Sequence, residues 1–369
     1  MTPQTRADLL TQIWWAGVRS VGGEASVKAS LTTTPIPRPD LIQSVGKAAV
    51  SMAKAAHHLF PVPTLAITKR GHTEPGLPFE ILEASHPVPD QTSLTAGARL
   101  LAEVAAAPEG SHLLLLVSGG ASSLVEVPRP GFTLDDLAGF NRALLASGKA
   151  IGTMNAERAQ HSVIKGGGLL ARFRGARVTI LAISDTRGDL IETIGSGIGL
   201  CLPRGGLQAE TRIVASNTVA RNAAAQQARD LGLVVLDRGE VLYQDVAECA
   251  ALIGQGLPDP PGLTLWGGEP TVVLPDNPGQ GGRNQALALH LAGRIRGQQD
   301  LSILVAGTDG NDGPTEAAGG IVDGATWAEG AEACLARADS GSFLARRQAL
   351  FTTGPTGTNV MDLALALRG

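Results

Sequence analysis

The feature that most limits what this chain can fold into is a rhythm of short apolar runs, stopped by glycine or proline and separated by stretches long enough for helices. Leu113 to Val117, followed at once by Ser118-Gly119-Gly120, is the plainest case. A run of this length is far too short to cross a membrane, which takes about 18 apolar residues, but it suits a strand buried on both faces. Strands alternating with helices give βα units around a mostly parallel sheet. The 47 glycines fit the same picture, because a chain that is 43% hydrophobic is too apolar for a flexible linker and must place them in loops between buried strands.

The pattern predicts strands at Leu41 to Val45, Thr64 to Thr68, Glu80 to Glu83, Leu113 to Val117, Val178 to Ile183, Arg212 to Ala215 and Leu233 to Leu236. Helices are expected at Lys47 to Leu59, Thr92 to Ala107, Leu134 to Ala146 and Thr218 to Leu231, with helical spacing also near the N-terminus (Leu9, Leu10, Ile13, Trp14) and over Tyr243 to Ile253. Thr133 followed by Asp136 resembles a capping box. The densest breaker cluster, three prolines and two glycines in Gly256 to Gly262, suggests a domain boundary there. Beyond it, strands are expected at Leu263 to Trp266, Thr271 to Leu274 and Ile303 to Val305, helices at Asn284 to Ile295 and Thr326 to Ala336, and a last apolar run at Met361 to Leu367. The expected architecture is two α/β domains, 1–256 and 257–369, with a cleft between them.

Charge removes several classes of function. Thirty Lys and Arg against 34 Asp and Glu leave a net charge of −4, so no basic field exists to gather nucleic acid or an anionic membrane. Seven Phe, four Trp and one Tyr are too few for base-stacking platforms. Three scattered cysteines, Cys201, Cys249 and Cys334, lack zinc-site spacing and suit a reducing compartment. The N-terminus lacks the basic start and cleavage site of an export signal. A soluble, cytoplasmic protein acting on a small molecule is expected.

Candidate chemistry gathers at the ends of the expected strands. Ser118-Gly119-Gly120-Ala121-Ser122-Ser123 can bring backbone N–H groups and hydroxyls close to an anion, with a helix start adding a favourable dipole; its bland alternative is a tight turn. It lacks the Gly-Lys-[Ser/Thr] of the common phosphate loop. Lys47 follows the first strand, at the edge where open α/β sheets bind ligands, and Lys165 precedes three glycines; either could instead be an ordinary solvated lysine. Gly195-Ser-Gly-Ile-Gly199 has the wrong spacing for a dinucleotide fingerprint. Asp185 and Asp189 lie just past one strand, and Asp309 and Asp312 just past another. Oxygen ligands of this kind suit Mg²⁺, although each pair alone could be a turn. Arg283 at an expected helix start, next to Asn284, is unfavourable to the helix dipole and suggests an anionic partner. The hydroxyl-rich run Thr352 to Asn359 offers a second phosphate or nucleotide loop, or else a turn.

In order along nearly the whole chain, these pieces resemble the glycerate 2-kinase family, whose C-terminal portion is the MOFRL domain. The matching segments are Gly46-Lys-Ala-Ala49, Ser85-His-Pro-Val-Pro-Asp90, Ser118-Gly-Gly-Ala-Ser-Ser123, Ile164-Lys-Gly-Gly167, Ser184-Asp185 with Gly188-Asp189, Gly267-Gly-Glu269, Gly281-Gly-Arg-Asn-Gln285, Gly307-Thr-Asp-Gly310 with Asp312-Gly-Pro-Thr315, and Thr353-Gly-Pro-Thr-Gly-Thr-Asn359. The resemblance implies a Rossmann-like N-terminal domain, a smaller α/β C-terminal domain, and transfer of the γ-phosphoryl group of ATP to O2 of D-glycerate with Mg²⁺. It implies that Lys47 is the family's lysine and Arg283 its substrate arginine, and a homodimer is left open. Lys47, Arg283 and Asp189 are then expected in catalysis; Ser118, Gly119, Gly120, Ala121, Ser122, Ser123, Arg158, Lys165 and Asn284 in holding substrate or phosphate. Thr308, Asp309, Thr356, Gly357, Thr358 and Asn359 are expected at the nucleotide, and Asp185, Asp189 and Asp309 at the metal.

The chain departs from the family in places. Where the family has Asn-x-x-Arg-Lys-His, it reads Asn155-Ala-Glu-Arg158-Ala159-Gln160, and Ile198 replaces a usual proline. Two other readings remain. Some relatives carry the label hydroxypyruvate reductase, but a nicotinamide site would need a G-x-G-x-x-G turn and a following acidic residue, which the sequence lacks. A non-catalytic hydroxy-acid binding protein could use the same anion loops.

Overall fold

The computed structural model describes residues 1–137, 139–140 and 157–369. The chain forms two compact units, residues 22–216 with 357–359, and residues 1–21, 217–356 and 360–369. The first is built on an all-parallel sheet and the second on a mixed one.

In the parallel-sheet unit the strands are β1 (Leu41–Val45), β2 (Thr64–Lys69), β3 (Glu80–Ala84), β4 (His112–Val117), β5 (Arg177–Ile183) and β6 (Gln208–Ala215). Their order is β3-β2-β1-β4-β5-β6, every neighbouring pair parallel. This is the Rossmann order, as expected. All six residues of β4 are buried, which is why Leu113 to Val117 carries no alternating pattern. Helix Gln91–Ala106 lays Ala96, Leu100 and Val104, four residues apart, into the core beside β4 and β5. Asp90 caps that helix by accepting the Thr92 N–H at 2.8 Å, a contact of a kind that stabilises by about 1 kcal/mol. The expected helix from Leu134 to Ala146 lies largely outside the described residues. At its start Thr133 N–H donates to Asp136 Oδ2 (2.8 Å) and Asp136 N–H to Thr133 Oγ1 (3.2 Å).

The mixed-sheet unit has β7 (Val235–Leu242), β8 (Gly262–Gly268), β9 (Leu301–Gly307), β10 (Gly319–Asp323), β11 (Leu350–Phe351) and β12 (Asp362–Arg368), in the order β11-β10-β9-β12-β8-β7. β12 runs antiparallel between β8 and β9, and β7 pairs with β8 in parallel. The first helix, Pro3–Ser20, belongs to this unit. Its Leu10, Ile13, Trp14 and Val18 are buried, Trp14 stands edge-on to Phe351 at 5.0 Å, and the fully buried Arg6 donates to Ser302 Oγ at 3.0 Å.

The prolines at 258, 260 and 261 lie in the connection between helix Val246–Gln255 and β8, and β7, which precedes that helix, pairs with β8 in one sheet. Two expected elements differ from the structure. The expected strand from Thr271 to Leu274 forms one isolated bridge, at Thr271. Val273 and Leu274 are 83% and 59% exposed, and flanking prolines at 270 and 275 withhold the N–H groups a longer ladder would need. The expected helix from Thr326 is a turn held by the Asp323 N–H bond to Thr326 Oγ1 (2.9 Å), and the helix begins only at Ala331.

Candidate active site

In the parallel-sheet unit β1 and β4 are neighbours, but the chain leaves β1 towards β2 and leaves β4 towards β5. Ligands of open α/β sheets bind at such a switch point, beyond the C-terminal strand ends. β1 delivers Gly46-Lys47-Ala48 there, and β4 delivers Ser118-Gly119-Gly120.

The two loops are joined by backbone. Ser118 N–H donates to Val45 O (2.9 Å), Lys47 N–H to Gly119 O (2.8 Å), and Ala48 N–H to Ser118 Oγ (3.1 Å). Gly46 has φ +132°, and a Cβ on it would stand 2.1 Å from Ser118 Oγ, so glycine is required both for backbone and for space. A Cβ on Gly119 would lie 2.0 Å from Asp185 Oδ2 and 3.2 Å from Asn359 Nδ2; one on Gly120 would lie 3.2 Å from His86 Nε2 and from Lys47 Cγ. Lys47, His86, Asp185 and Asn359 therefore converge on the bare backbone of Gly119-Gly120, with Asn359 Nδ2 donating to Asp185 Oδ2 at 3.4 Å.

The rest of this loop supports itself. Ala121–Leu124 is a single helical turn, too short for the expected helix dipole to contribute much. Ser123 Oγ donates to Gly120 O (3.1 Å), and Ser122 Oγ shares a 2.8 Å bond with Ser196 Oγ. Lys165 is 6% exposed and its ammonium is ion-paired with the buried Glu126, which also accepts from Ser162 Oγ and from Val127 N–H. Burial pushes the Lys165 pKa down against the pull of Glu126, and the nearby charge of Arg158 pushes the same way. Burial likewise lowers Arg158. Asn155 lies outside the described residues.

Asp185 and Asp189 come from one loop past β5. Asp189 has φ +53°, and its Oδ1 is buried without a hydrogen-bond partner, an acceptor open to a cation. Among the described residues no group of three or more His, Cys, Asp or Glu is placed to hold a metal. One or two carboxylates suffice for Mg²⁺ when water and phosphate complete its shell, so the Asp185 and Asp189 loop fits that ion.

Asp309 and Asp312 belong to the mixed-sheet unit and act on backbone. Asp309 Oδ1 accepts the Asn311 N–H at 3.0 Å, an Asx turn. Asp312 accepts the N–H groups of Asn284 (3.0 Å) and Gln285 (2.8 Å), capping helix Arg283–Arg294. Burial raises its pKa to about 6; the two N–H groups pull it down, the Asp362 carboxylate adds to the rise, and Arg283 opposes it. Asn284 is fully buried and neither atom of its side-chain amide has a partner. Thr356 N–H donates to Asp309 O (3.3 Å) and Thr356 Oγ1 to Thr308 O (2.6 Å), while Thr308 Oγ1 donates to Met361 O (2.6 Å). Gly357, Thr358 and Asn359 cluster with the parallel-sheet unit, where Ser51 Oγ donates to Gly357 O at 3.4 Å.

Arg283 opens its helix as expected, and the chain itself supplies anionic partners. Nε and Nη2 donate to Asp362 Oδ2 and Oδ1 at 2.6 and 3.1 Å, and Nη1 stands 3.0 Å from Glu269 Oε1. Burial disfavours the charge, but Asp362 and then Glu269 outweigh it and lift the guanidinium further above its ordinary value. Sequence reasoning gave no role to His86, Glu269, Asp362 or Glu126. His86 and Glu269 stood inside quoted motifs, and Asp362 is a lone carboxylate among the aliphatic residues of Met361 to Leu367.

A parallel sheet whose switch point carries a lysine, a carboxylate and a bare glycine backbone places the chain among α/β enzymes. Family models match residues 9–231, as a domain of unknown function (DUF4147), and residues 262–362, as the MOFRL family. The chain is 34% identical to a D-glycerate 2-kinase of Thermotoga maritima over 99% of each chain, and 34% identical to an Agrobacterium vitis relative named as a hydroxypyruvate reductase over 98% of this chain and 94% of the other. The crystal structure of glycerate kinase from Thermotoga maritima superposes with a TM-score of 0.88 at 32% identity, covering 99% of this chain and 100% of that one. The chain belongs to the glycerate 2-kinase family. It is an enzyme, a phosphotransferase.

Proposed function

We propose that the enzyme transfers the γ-phosphoryl group of ATP to the 2-hydroxyl of D-glycerate, giving 2-phosphoglycerate and ADP. The observation that carries this reading is the convergence of Lys47, His86 and Asp185 on the Gly119-Gly120 backbone, in a chain related along its whole length to a D-glycerate 2-kinase. Phosphoryl transfer is mostly positioning and charge neutralisation, so a cation and close backbone donors are what it needs. Lys47 would neutralise the transferring group, and the backbone of Ser118 to Ser123 would let its oxygens approach. Asp189 would accept the proton of the 2-hydroxyl as that oxygen bonds to phosphorus and the bond to the ADP oxygen breaks. Asp185, with Asp189 in the same loop, would hold Mg²⁺, which when bound supplies positive charge for the phosphates. Arg283 would bind the substrate carboxylate, and Thr308, Asp309 and Thr356 to Asn359 would form the nucleotide loops.

Reduction of hydroxypyruvate has support in the name of the Agrobacterium relative. Against it, the turn after β1 is Gly46-Lys-Ala-Ala49, without the glycine spacing of a nicotinamide site. No described helix is long and apolar enough to cross a membrane, and all three cysteines are free; a cytoplasmic location belongs to the proposal. The deciding experiment runs Mg-ATP with D-glycerate, coupling the product directly to enolase, beside NAD(P)H with hydroxypyruvate. Enolase-competent product is expected. Nucleotide oxidation without ADP release would overturn the reading.

A further inference from the structure

The two carboxylates on Arg283 differ in kind. Asp362, the first residue of β12, has 2% of its side chain exposed and takes the Nε and Nη2 edge of the guanidinium. Glu269, one residue past the end of β8, has 46% of its side chain exposed and meets Nη1 at 3.0 Å. Together the three groups carry a net charge of −1, and the buried Asp312 adds to the acidic surroundings once ionised. An arriving anion would meet repulsion, not attraction, while both carboxylates stay in place.

Two of the five guanidinium N–H groups remain beyond these contacts, so what opposes an anion at Arg283 is the net charge, and that is relieved if one carboxylate gives way. Asp362 cannot, because leaving the arginine would strand a carboxylate inside the protein without a partner. Glu269 can, because an exposed ion pair contributes little and its carboxylate can return to water. We infer that Glu269 is a displaceable internal ligand of Arg283: it occupies Nη1 in the empty enzyme, and the carboxylate of the hydroxy-acid substrate replaces it there. This rests on the proposed role of Arg283 in holding that carboxylate. Glu269 would thereby weaken substrate binding, and it would keep the guanidinium oriented while no substrate is present.

The test is Glu269→Gln, with Glu269→Ala as a second variant at the same half-exposed position, each measured for KM of D-glycerate and of ATP. KM for D-glycerate should fall by roughly three- to fivefold, the scale of one exposed ion pair, while KM for ATP stays put. An unchanged or higher KM for D-glycerate would overturn the inference, and so would a fall confined to ATP. Arg283→Ala separates the two layers. If it raises KM for D-glycerate while the Glu269 variants do not lower it, only the displacement fails; if it leaves that KM unchanged, the assigned role of Arg283 fails.

Discussion

Gly119 and Asp185 meet so closely that any side chain at the glycine would occupy the position of the carboxylate: the Cβ would stand 2.0 Å from Oδ2. The glycine at the end of β4 and the aspartate at the end of β5 thus fix each other, and the width of the switch point depends on both. Gly119→Ala should lower kcat/KM by at least about 100-fold, the order of losing one well-placed transition-state contact, and leave the unit folded. Steady-state kinetics with a thermal melt would check this; near wild-type kinetics would show that the loop tolerates the displacement.

Lys47 follows β1 and shares the surface of Gly120 with His86. Replacing it with Ala should cost about 2–4 kcal/mol in kcat/KM if its ammonium meets the transferring charge. Arg should restore little, since a planar fork cannot stand in for a compact, rotatable point charge. Comparable kcat/KM for all three proteins would remove Lys47 from the reaction.

Asp189, with one buried oxygen left unpartnered, should fail differently from Asp185. Asp185→Asn should raise the Mg²⁺ concentration needed for half-maximal rate. Asp189→Asn should cut kcat even at saturating metal, as loss of a base does. Mg²⁺ titrations of the two variants distinguish the roles, and an unchanged response in both would return the loop to an ordinary turn.

Asp312 makes a prediction about pH. Its folded-state pKa of about 6 lies above the roughly 3.9 of an unfolded aspartate, so between these values the folded protein holds the extra proton. Stability from this group is therefore full below about pH 4 and declines as pH rises through 6, by about 3 kcal/mol for two units. Asp312→Asn cannot titrate. The excess stability of wild type over this variant, measured by urea unfolding, should be larger at pH 4 than at pH 7, and a constant difference would contradict the raised pKa.

The centre of the parallel sheet was readable because β4 is buried on both faces and appears as an unbroken apolar run, and β1 and β5 beside it are mostly apolar and buried; β3 and the first half of β6 are more exposed and carry a weaker signal. The mixed sheet was less readable. β10 begins with Gly319-Gly320, where a Cβ on Gly319 would lie 1.9 Å from Val305 O, so the packing that makes it a strand leaves no apolar signature. Val273 and Leu274 show the reverse, apolar residues in sequence that the structure leaves in solvent. Within the site, single charges such as Lys47 and Asp185 could be picked out from their place after strands. The pairing of Lys165 with Glu126, and of Arg283 with Asp362 across 79 positions, could not, because no local pattern links residues so far apart.

The first helix packs with strands made last. Leu10, Ile13 and Trp14 are covered within a unit whose sheet includes β9 and β12, and Arg6 reaches Ser302. The parallel sheet has all of its strands by residue 215, whereas the other unit cannot close around this helix until helix Asn217–Asp230, and then β9 and β12, have been made. Folding of the two units is therefore staggered along the chain, with the later unit tied to a segment that precedes the whole of the earlier one.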